Sequence, residues 1–517
     1  YNHFYIKKNM NDSILRIYVK MILGTLCVSC VLCSCSDNGE RRMEKALKMA
    51  GTNRAELEKV MEHYRGDSLK LRAARFLIEN MQYHFSVNER FVSKKGKSYY
   101  PDITRFGGAA SVKRHCDSLM AAGWNIDRRT EYDIRCVDAE FMIRNIELAF
   151  RALEKPWASE VSFGDFCRYI LPYRSQNEPL SYARERLMER YTALLDSAGA
   201  RNAMEACRII NARLKEEMKY CETGNPLGPT VEETEASGRG TCDALCNYTT
   251  MVMRAAGVPV AVQQTVWTRM DRGHVWCAVL HEGTFHDFSP GDVQPGEYRH
   301  VLATVKHLMP AKVYRRHFEP DMSVLPEKDD GFVTYLKNPL LEDVTNEQEM
   351  EVYDLRIPDR NGSSGHGHIT YLCNYNMGKW VPVAMGRRRD GVSTFRNVAG
   401  RNLLVVAEAD GSGALDFISD PFFTEGDGIV RFLVPDMERR VSVRCMRNDG
   451  ISSRSLYYWD NGSGCFRSVP CIFENDSVRV YGNVPGNSLL LDVTDGIKYN
   501  TSVGIAVDGV FNSESWL

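Results

Sequence analysis

Residues 238–246 read Gly-Arg-Gly-Thr-Cys-Asp-Ala-Leu-Cys. They close a segment rich in Gly, Pro and Thr, "ETGNPLGPTVEETEASGRG" at 222–240, and open an apolar run, "CDALCNYTTMVMRAAG" at 242–257. The run predicts a helix that begins at Cys242 and is closed by Gly257, because glycine reaches the left-handed conformation that ends helices. Cys242 then lies in a first turn, where backbone amides have no partner inside the helix. Such a position favours a thiolate, as a nearby imidazole would. The amide of Cys242 is also free to hold an oxyanion. Gly238 and Gly240 let the incoming loop pass without side-chain clash.

Downstream, "VPVAVQQTVW" at 258–267 alternates as a strand. "HVWCAVL" at 274–280, a turn at His281-Glu282-Gly283 and "TFHDF" at 284–288 predict a β-hairpin. A helix followed by antiparallel strands is an α+β unit. His274 heads the first arm and Asp287 lies on the second. The hairpin is expected to place them opposite or diagonal, with Cβ atoms about 4.5–8 Å apart if they share a face. That is within reach of an imidazole–carboxylate bond. Cys246, one helical turn after Cys242, reads as core packing, and Trp276 as packing beside His274. His281 and His286, and the isolated His366-Gly-His368, do not make a metal site.

"GRGTC" at 238–242, "RAAGVPV" at 254–260, "HVW" at 274–276 and "FHDF" at 285–288 occur in that order. Together they resemble the transglutaminase-like superfamily, a branch of the papain-like cysteine enzymes, over roughly 230–290. The resemblance implies Cys242 as nucleophile, His274 as general base and acid, and Asp287 as orienter. It implies a second oxyanion donor beside the Cys242 amide, often a Gln or Trp side chain. No Gln or Trp closely precedes Cys242. Gln176, in the polar stretch "LPYRSQNE" at 171–178, is the candidate, with Trp157 and Tyr173 also upstream. Such a triad forms a thioacyl intermediate from an amide. Water then gives hydrolysis and an amine gives cross-linking. The expected activity is that of a cysteine peptidase or amidase on peptides, proteins or glycopeptides, without cofactor or metal. The alternatives are a protein–glutamine acyltransferase and a catalytically silent glycan- or protein-binding surface lipoprotein.

At 517 residues the chain exceeds what one hydrophobic core spans. Charge is nearly balanced, 65 Lys and Arg against 67 Asp and Glu, and no basic stripe points to nucleic acid. Around Lys20–Glu40, "KMILGTLCVSCVLCSCSDNGE", a basic residue precedes about a dozen apolar ones, too few to span a bilayer. This fits a signal peptide over 1–35, with Met10 or Met21 as start. Leu32-Cys33-Ser34-Cys35 resembles a bacterial lipobox, which implies lipidation of Cys35 and anchoring in the cell envelope of a Gram-negative bacterium. Cys30 and Cys33 are alternatives. The remaining cysteines are scattered and show no zinc spacing; Cys465 and Cys471 are near enough to staple a hairpin.

The expected layout is multidomain. A helical region spans 36–221, with a surface loop at 86–112. An α+β transglutaminase-like (papain-like) core spans 222–335. Two β-rich modules of sandwich type span 336–440 and 441–517, with short strands between Gly, Asn and Asp turns. The aromatic stretch "YYWDNGSGCF" at 457–466 is either a sugar-stacking surface or core.

Overall fold

The computed structural model describes residues 39–267, 273–297, 310–360, 367–376, 379–425, 428–446, 454–474, 478–494, 501–507 and 510–512. The leader and Cys35 lie outside these residues. Among the described residues, no helix is long and apolar enough to cross a membrane. Two compact units divide the chain: residues up to Val87 with Arg129–Glu147, and Asn88–Arg128 with Leu148 onward.

In the first unit, helices Arg54–His63 and Ser68–Met81 follow the three-to-four spacing of their apolar residues. Leu57, Val60, Leu77 and Ile78 are buried. Asp67 caps the second helix by accepting the amides of Leu69 and Lys70. Glu147 accepts the Tyr64 hydroxyl at 3.0 Å and the Lys70 ammonium at 2.7 Å.

The stretch expected as a surface loop holds regular structure. Phe85–Val92 is a strand and Ala109–Ala121 a helix. Phe91 pairs with Tyr99 and Val92 with Ser98, so "SKKGK" is a hairpin tip. Its lysines and glycine read as loop residues, and the strand buries Ser86 and Glu89 along with Phe91, so its inward positions carry no apolar alternation.

The second unit contains the core. We label helices α1 (Arg184–Ala198), α2 (Ala203–Glu217) and α3 (Cys242–Ala255). The strands are β1 (Val260–Trp267), β2 (Gly273–His281), β3 (Thr284–Phe288), β4 (Pro310–Arg316) and β5 (Leu341–Asp343). They form an antiparallel sheet in the order β5-β4-β1-β2-β3. β5 lies beyond the expected core boundary at 335 because Leu341 and Asp343 pair with Arg316 and Tyr314. One sheet face, with Val262, Val275, Cys277 and Val279, is buried with Leu187, Ile210, Leu245, Cys246 and Val252 of the three helices. Alternation in the strands and helical spacing in α3 thus meet in one core.

The end of α3 is tightly specified. Gly257 has φ +84°, its amide donates to Arg254, and the Val258 amide donates to Met253 at 2.8 Å. These two bonds make a Schellman cap. Trp157 donates its indole N–H to the Ala256 carbonyl at 2.7 Å.

Beyond the core, Val352–Phe432 and Asp436–Asn512 each contribute a sheet of eight strands among the described residues. The break between Phe432 and Asp436 lies close to the expected division near 440. Trp459 is buried with Tyr375, Leu433 and Leu491, and its ring meets Trp380 at 5.6 Å and Phe466 at 5.1 Å. The "YYWDNGSGCF" tryptophan is therefore core. Cys465 pairs with Asp460 and Cys471 with Tyr481, on different neighbouring strands, and both thiols are free, so no staple forms.

A Cβ on Gly257 would lie 2.4 Å from the Ala152 carbonyl oxygen, in a conformation that L side chains avoid. Gly257→Ala is expected to destabilise the protein by about 2 kcal/mol or more. Urea unfolding would measure this, and an unchanged midpoint would show that α3 can end another way.

Candidate active site

The loop entering α3 is fixed before the cysteine is reached. Lys219–Tyr220 pairs in parallel with Arg239–Gly240, and the Cys221 amide donates to the Gly240 carbonyl at 2.9 Å. A Cβ on Gly240 would lie 2.8 Å from the Ala244 Cβ. Only glycine lets the loop fold back onto the first turn of its own helix. Thr241 is the extended N-cap residue, and Cys242 is the first residue of α3.

Cys242 is half-buried and packs against the core that holds Val275, the residue after His274. The fold thus brings Cys242 to the strand that carries His274. Burial pushes the thiol up, and the neighbouring Asp243 carboxylate adds to this. The amides of Val275, Asp243 and Cys242 itself pull the other way without prevailing. A helix start was expected to favour the thiolate. Desolvation and the adjacent carboxylate outweigh the amide donors here, so the thiol is held above its ordinary range.

His274 is clamped between two indoles. Trp267 stacks on it at 5.3 Å with planes 18° apart, and Trp276 at 5.7 Å and 24°. Trp276 is fully buried and Trp267 nearly so. The Trp267 carbonyl accepts Asn376 Nδ2 at 2.6 Å, which ties this end of β1 to the first C-terminal sheet.

The register of the hairpin differs from expectation. Its turn has two central residues, Glu282 (φ 49°) and Gly283 (φ 75°), and His281 pairs with Thr284. Two positive φ values mark the tight turn that suits twisted hairpin arms. Counted from there, Asp287 pairs with Ala278, while His274 pairs with Thr265 on the other side. Asp287 is thus displaced by four residues, about 13 Å along the strand, from a position opposite His274. Its carboxylate accepts the Trp276 indole N–H at 2.9 Å. It is linked to His274 through the ring that stacks on it.

Asp287 belongs to a buried polar layer. Burial pushes its carboxyl up to about 7, against the opposing pull of Trp276, Arg315 and Gln263, and Glu347 adds to the rise. Arg315 pairs with Glu347 at 2.6 Å, and Gln348 donates to Gln263 at 3.0 Å.

Gln176 reaches the start of α3 from 71 residues upstream. Its amide nitrogen donates to Asn247 Oδ1 at 2.9 Å and its side chain to the Asp243 carboxylate. Ser175 Oγ donates to the same Asn247 oxygen at 2.7 Å. The loop is held from below. Arg254 of α3 donates to the Arg174 carbonyl at 2.6 Å, Arg184 to the Ile170 carbonyl at 2.6 Å, and Glu178 accepts the amides of Ser175 and Gln176. Trp157 is committed to the opposite end of α3, and Tyr173 is buried against Phe318 at 5.5 Å. Sequence reasoning missed Asp243, Trp267 and Arg254. Asp243 carries a visible signal, an acid directly after the cysteine. The other two act through contacts that no local pattern encodes.

Among the described residues, no group of three or more His, Cys, Asp or Glu could hold a metal ion. His366 lies outside the described residues.

No protein-family model and no curated protein matches the chain. Among solved structures, one that resembles it is a Cytophaga hutchinsonii protein described as a "putative cysteine protease". It is 11% identical with a TM-score of 0.20, over 25% of this chain and 42% of that one. Another is red sea bream transglutaminase, 10% identical with a TM-score of 0.17, over 84% of this chain and 78% of that one. The chain spans less than half of the first of these, and the candidate site stands on its own geometry.

Two substitutions probe the site. Asp243→Asn removes the charge that raises the Cys242 thiol, so iodoacetamide should alkylate Cys242 several-fold faster near pH 7. Mass-spectrometric mapping would read this, and an unchanged rate would exclude Asp243 as the cause. Asp287 is an acid whose pKa rises on folding, so between about 4 and about 7 the folded state binds more protons than the unfolded. Stability from this group falls as pH rises through that window and is level above it. Asp287→Asn keeps an oxygen for Trp276 and removes the ionisation. Its melting temperature should gain on the parent protein from pH 4 to 7. A constant difference would show that Asp287 is not held in this way.

Proposed function

We propose that the chain is a cysteine hydrolase of transglutaminase-like type, a peptidase or amidase acting through Cys242 and His274. The observation that carries this reading is Cys242 at a helix start, packed on the strand that carries His274, whose imidazole is stacked on by two indoles. That arrangement suits a nucleophile that is neutral at rest and loses its proton during attack.

In this mechanism His274 takes the thiol proton as sulfur bonds to the substrate carbonyl carbon. The resulting oxyanion is held by the Cys242 amide and by Gln176, which turns from Asp243 to the new acceptor. His274 gives its proton to the leaving amine as the C–N bond breaks. Water, deprotonated by His274, then attacks the thioester, releasing the acid and restoring the thiol. Asp287 orients His274 indirectly, by fixing Trp276 against the ring. No cofactor is required. The substrates we infer are extracytoplasmic peptides, proteins or glycopeptides, met by an enzyme anchored through Cys35 in a Gram-negative cell envelope. The two C-terminal sheets serve as sandwich-type modules beside the core.

The test is peptide cleavage by the full chain, with new N-termini counted by mass spectrometry. Cys242→Ala should abolish release. Gln176→Ala should lower kcat by about 10²-fold with little change in KM. Incorporation of a labelled alkylamine in preference to hydrolysis would replace this reading with acyl transfer. Absence of both, with Cys242 alkylated no faster than exposed Cys136, would sink it.

A further inference from the structure

A second site is suggested by the first C-terminal sheet. Strands Val352–Pro358, Val392–Ala399 and Lys379–Arg389 are neighbours in that order. Thr394 pairs with Arg356 on one side and Arg387 on the other, so both arginines flank one row. Arg389 lies two residues along from Arg387, and Arg396 two residues beyond Thr394 in the opposite direction. Residues two apart on a strand share a face. Arg356, Arg387, Arg389 and Arg396 are exposed, and no carboxylate among the described residues pairs with any of them.

These arginines line an open cleft of about 1590 Å³, which residues 323–330 also line. Most of the acids in the cleft are already engaged. Lys337 holds Asp329 and Asp330, Lys312 holds Asp343, and Glu408 accepts the Gly367 amide. Arg388, between the exposed arginines, turns to Asp359. Lys328 and the four arginines face Glu327, Asp390 and Glu408, and Lys337 offsets one of Asp329 and Asp330, so the cleft keeps a small cationic excess with its arginines gathered on the sheet face.

We propose that this cleft binds an acidic polypeptide segment in extended conformation. The volume exceeds the roughly 300–1,000 Å³ of a small-molecule site, which favours a polymer. Arg387 and Arg389, two residues apart on one strand, are spaced at about 6.6 Å, the interval at which an extended peptide presents every second side chain. Asp or Glu at alternate positions therefore matches this pair, with Arg396 on the next strand and Arg356 on the one beyond it. Ile369, opposite Arg387 on the next strand, adds an apolar contact for the residues between. None of Cys242, His274 or Gln176 lines the cleft, so the proposal does not rest on the hydrolase reading.

Fluorescence anisotropy of the full chain with a fluorescein-labelled peptide of four Glu-Ser repeats tests it. Binding should appear at low salt, weaken as salt rises, and be absent for four Lys-Ser repeats. The double variant R387E/R396E should bind about tenfold more weakly or worse, with an unchanged melting temperature. Cys242→Ala should bind as the parent does. No binding of the Glu-Ser peptide would overturn the proposal, as would undiminished binding by R387E/R396E. So would tighter binding of oligogalacturonate than of the peptide, which assigns the face to an anionic glycan.

Discussion

Arg254 ties the core together. Its guanidinium is buried near the end of α3 and donates to the carbonyls of Arg174 and Val260. Three segments distant in sequence or direction are thereby fixed to one planar group: the helix that begins at Cys242, the strand that follows it, and the loop that carries Gln176. Arg184 sits beside it, donating to Ile170, Leu171 and the Arg254 carbonyl. Burial lowers the guanidinium of Arg254 to about 10 and that of Arg184 to about 9. Removing a cation from water is costly, and carbonyl acceptors offset the cost only with good geometry. Such a centre is stable in one arrangement and resists alternatives, which suits a loop that carries the Gln176 side chain onto α3 at Asn247.

The electrostatics of the site favour restraint over a standing charge. Burial and the Asp243 charge push the Cys242 thiol up, against the pull of nearby backbone amides. Asp243 lies at the exposed start of α3, its carboxyl raised by its surroundings against the opposing pull of the Gln176 side chain. The half-buried Asp287 is pushed up to about 7, so it is the carboxyl of the site that burial moves furthest. Trp267 and Trp276 stack on His274, and the Asp287 carboxylate holds Trp276, one ring removed. Stacked rings restrict the plane of an imidazole.

The first C-terminal sheet is structurally part of this arrangement. Asn376 holds the Trp267 carbonyl, Tyr314 donates to Val383 at 2.7 Å, and Asn402 donates to Pro310 at 3.3 Å. These are buried polar contacts between modules, and losing either partner strands a polar group. The strand that carries one of the two indoles on His274 is thus braced from outside the core sheet.

The sequence by itself determined the elements whose signals are local. A thiol at a helix start, a glycine closing that helix, the β1 strand and the hairpin were all legible, because alternation, helical spacing and glycine's left-handed conformation act within a few residues. The strand at Phe85–Val92 was not, since polar Ser86 and Glu89 occupy buried positions and break the apolar period. Register was also beyond reach. Pairing is counted from the turn, and only the two positive φ values at Glu282 and Gly283 show where the count starts, which is why Asp287 lands on Ala278 and not near His274. The place of the Gln176 loop on α3 was beyond reach, since buried arginines far along the chain hold it there. The tertiary structure decided the upward shift of the Cys242 thiol and the rings stacked on His274, for one physical reason: desolvation and ring stacking depend on what is packed nearby, and chain spacing carries no record of that.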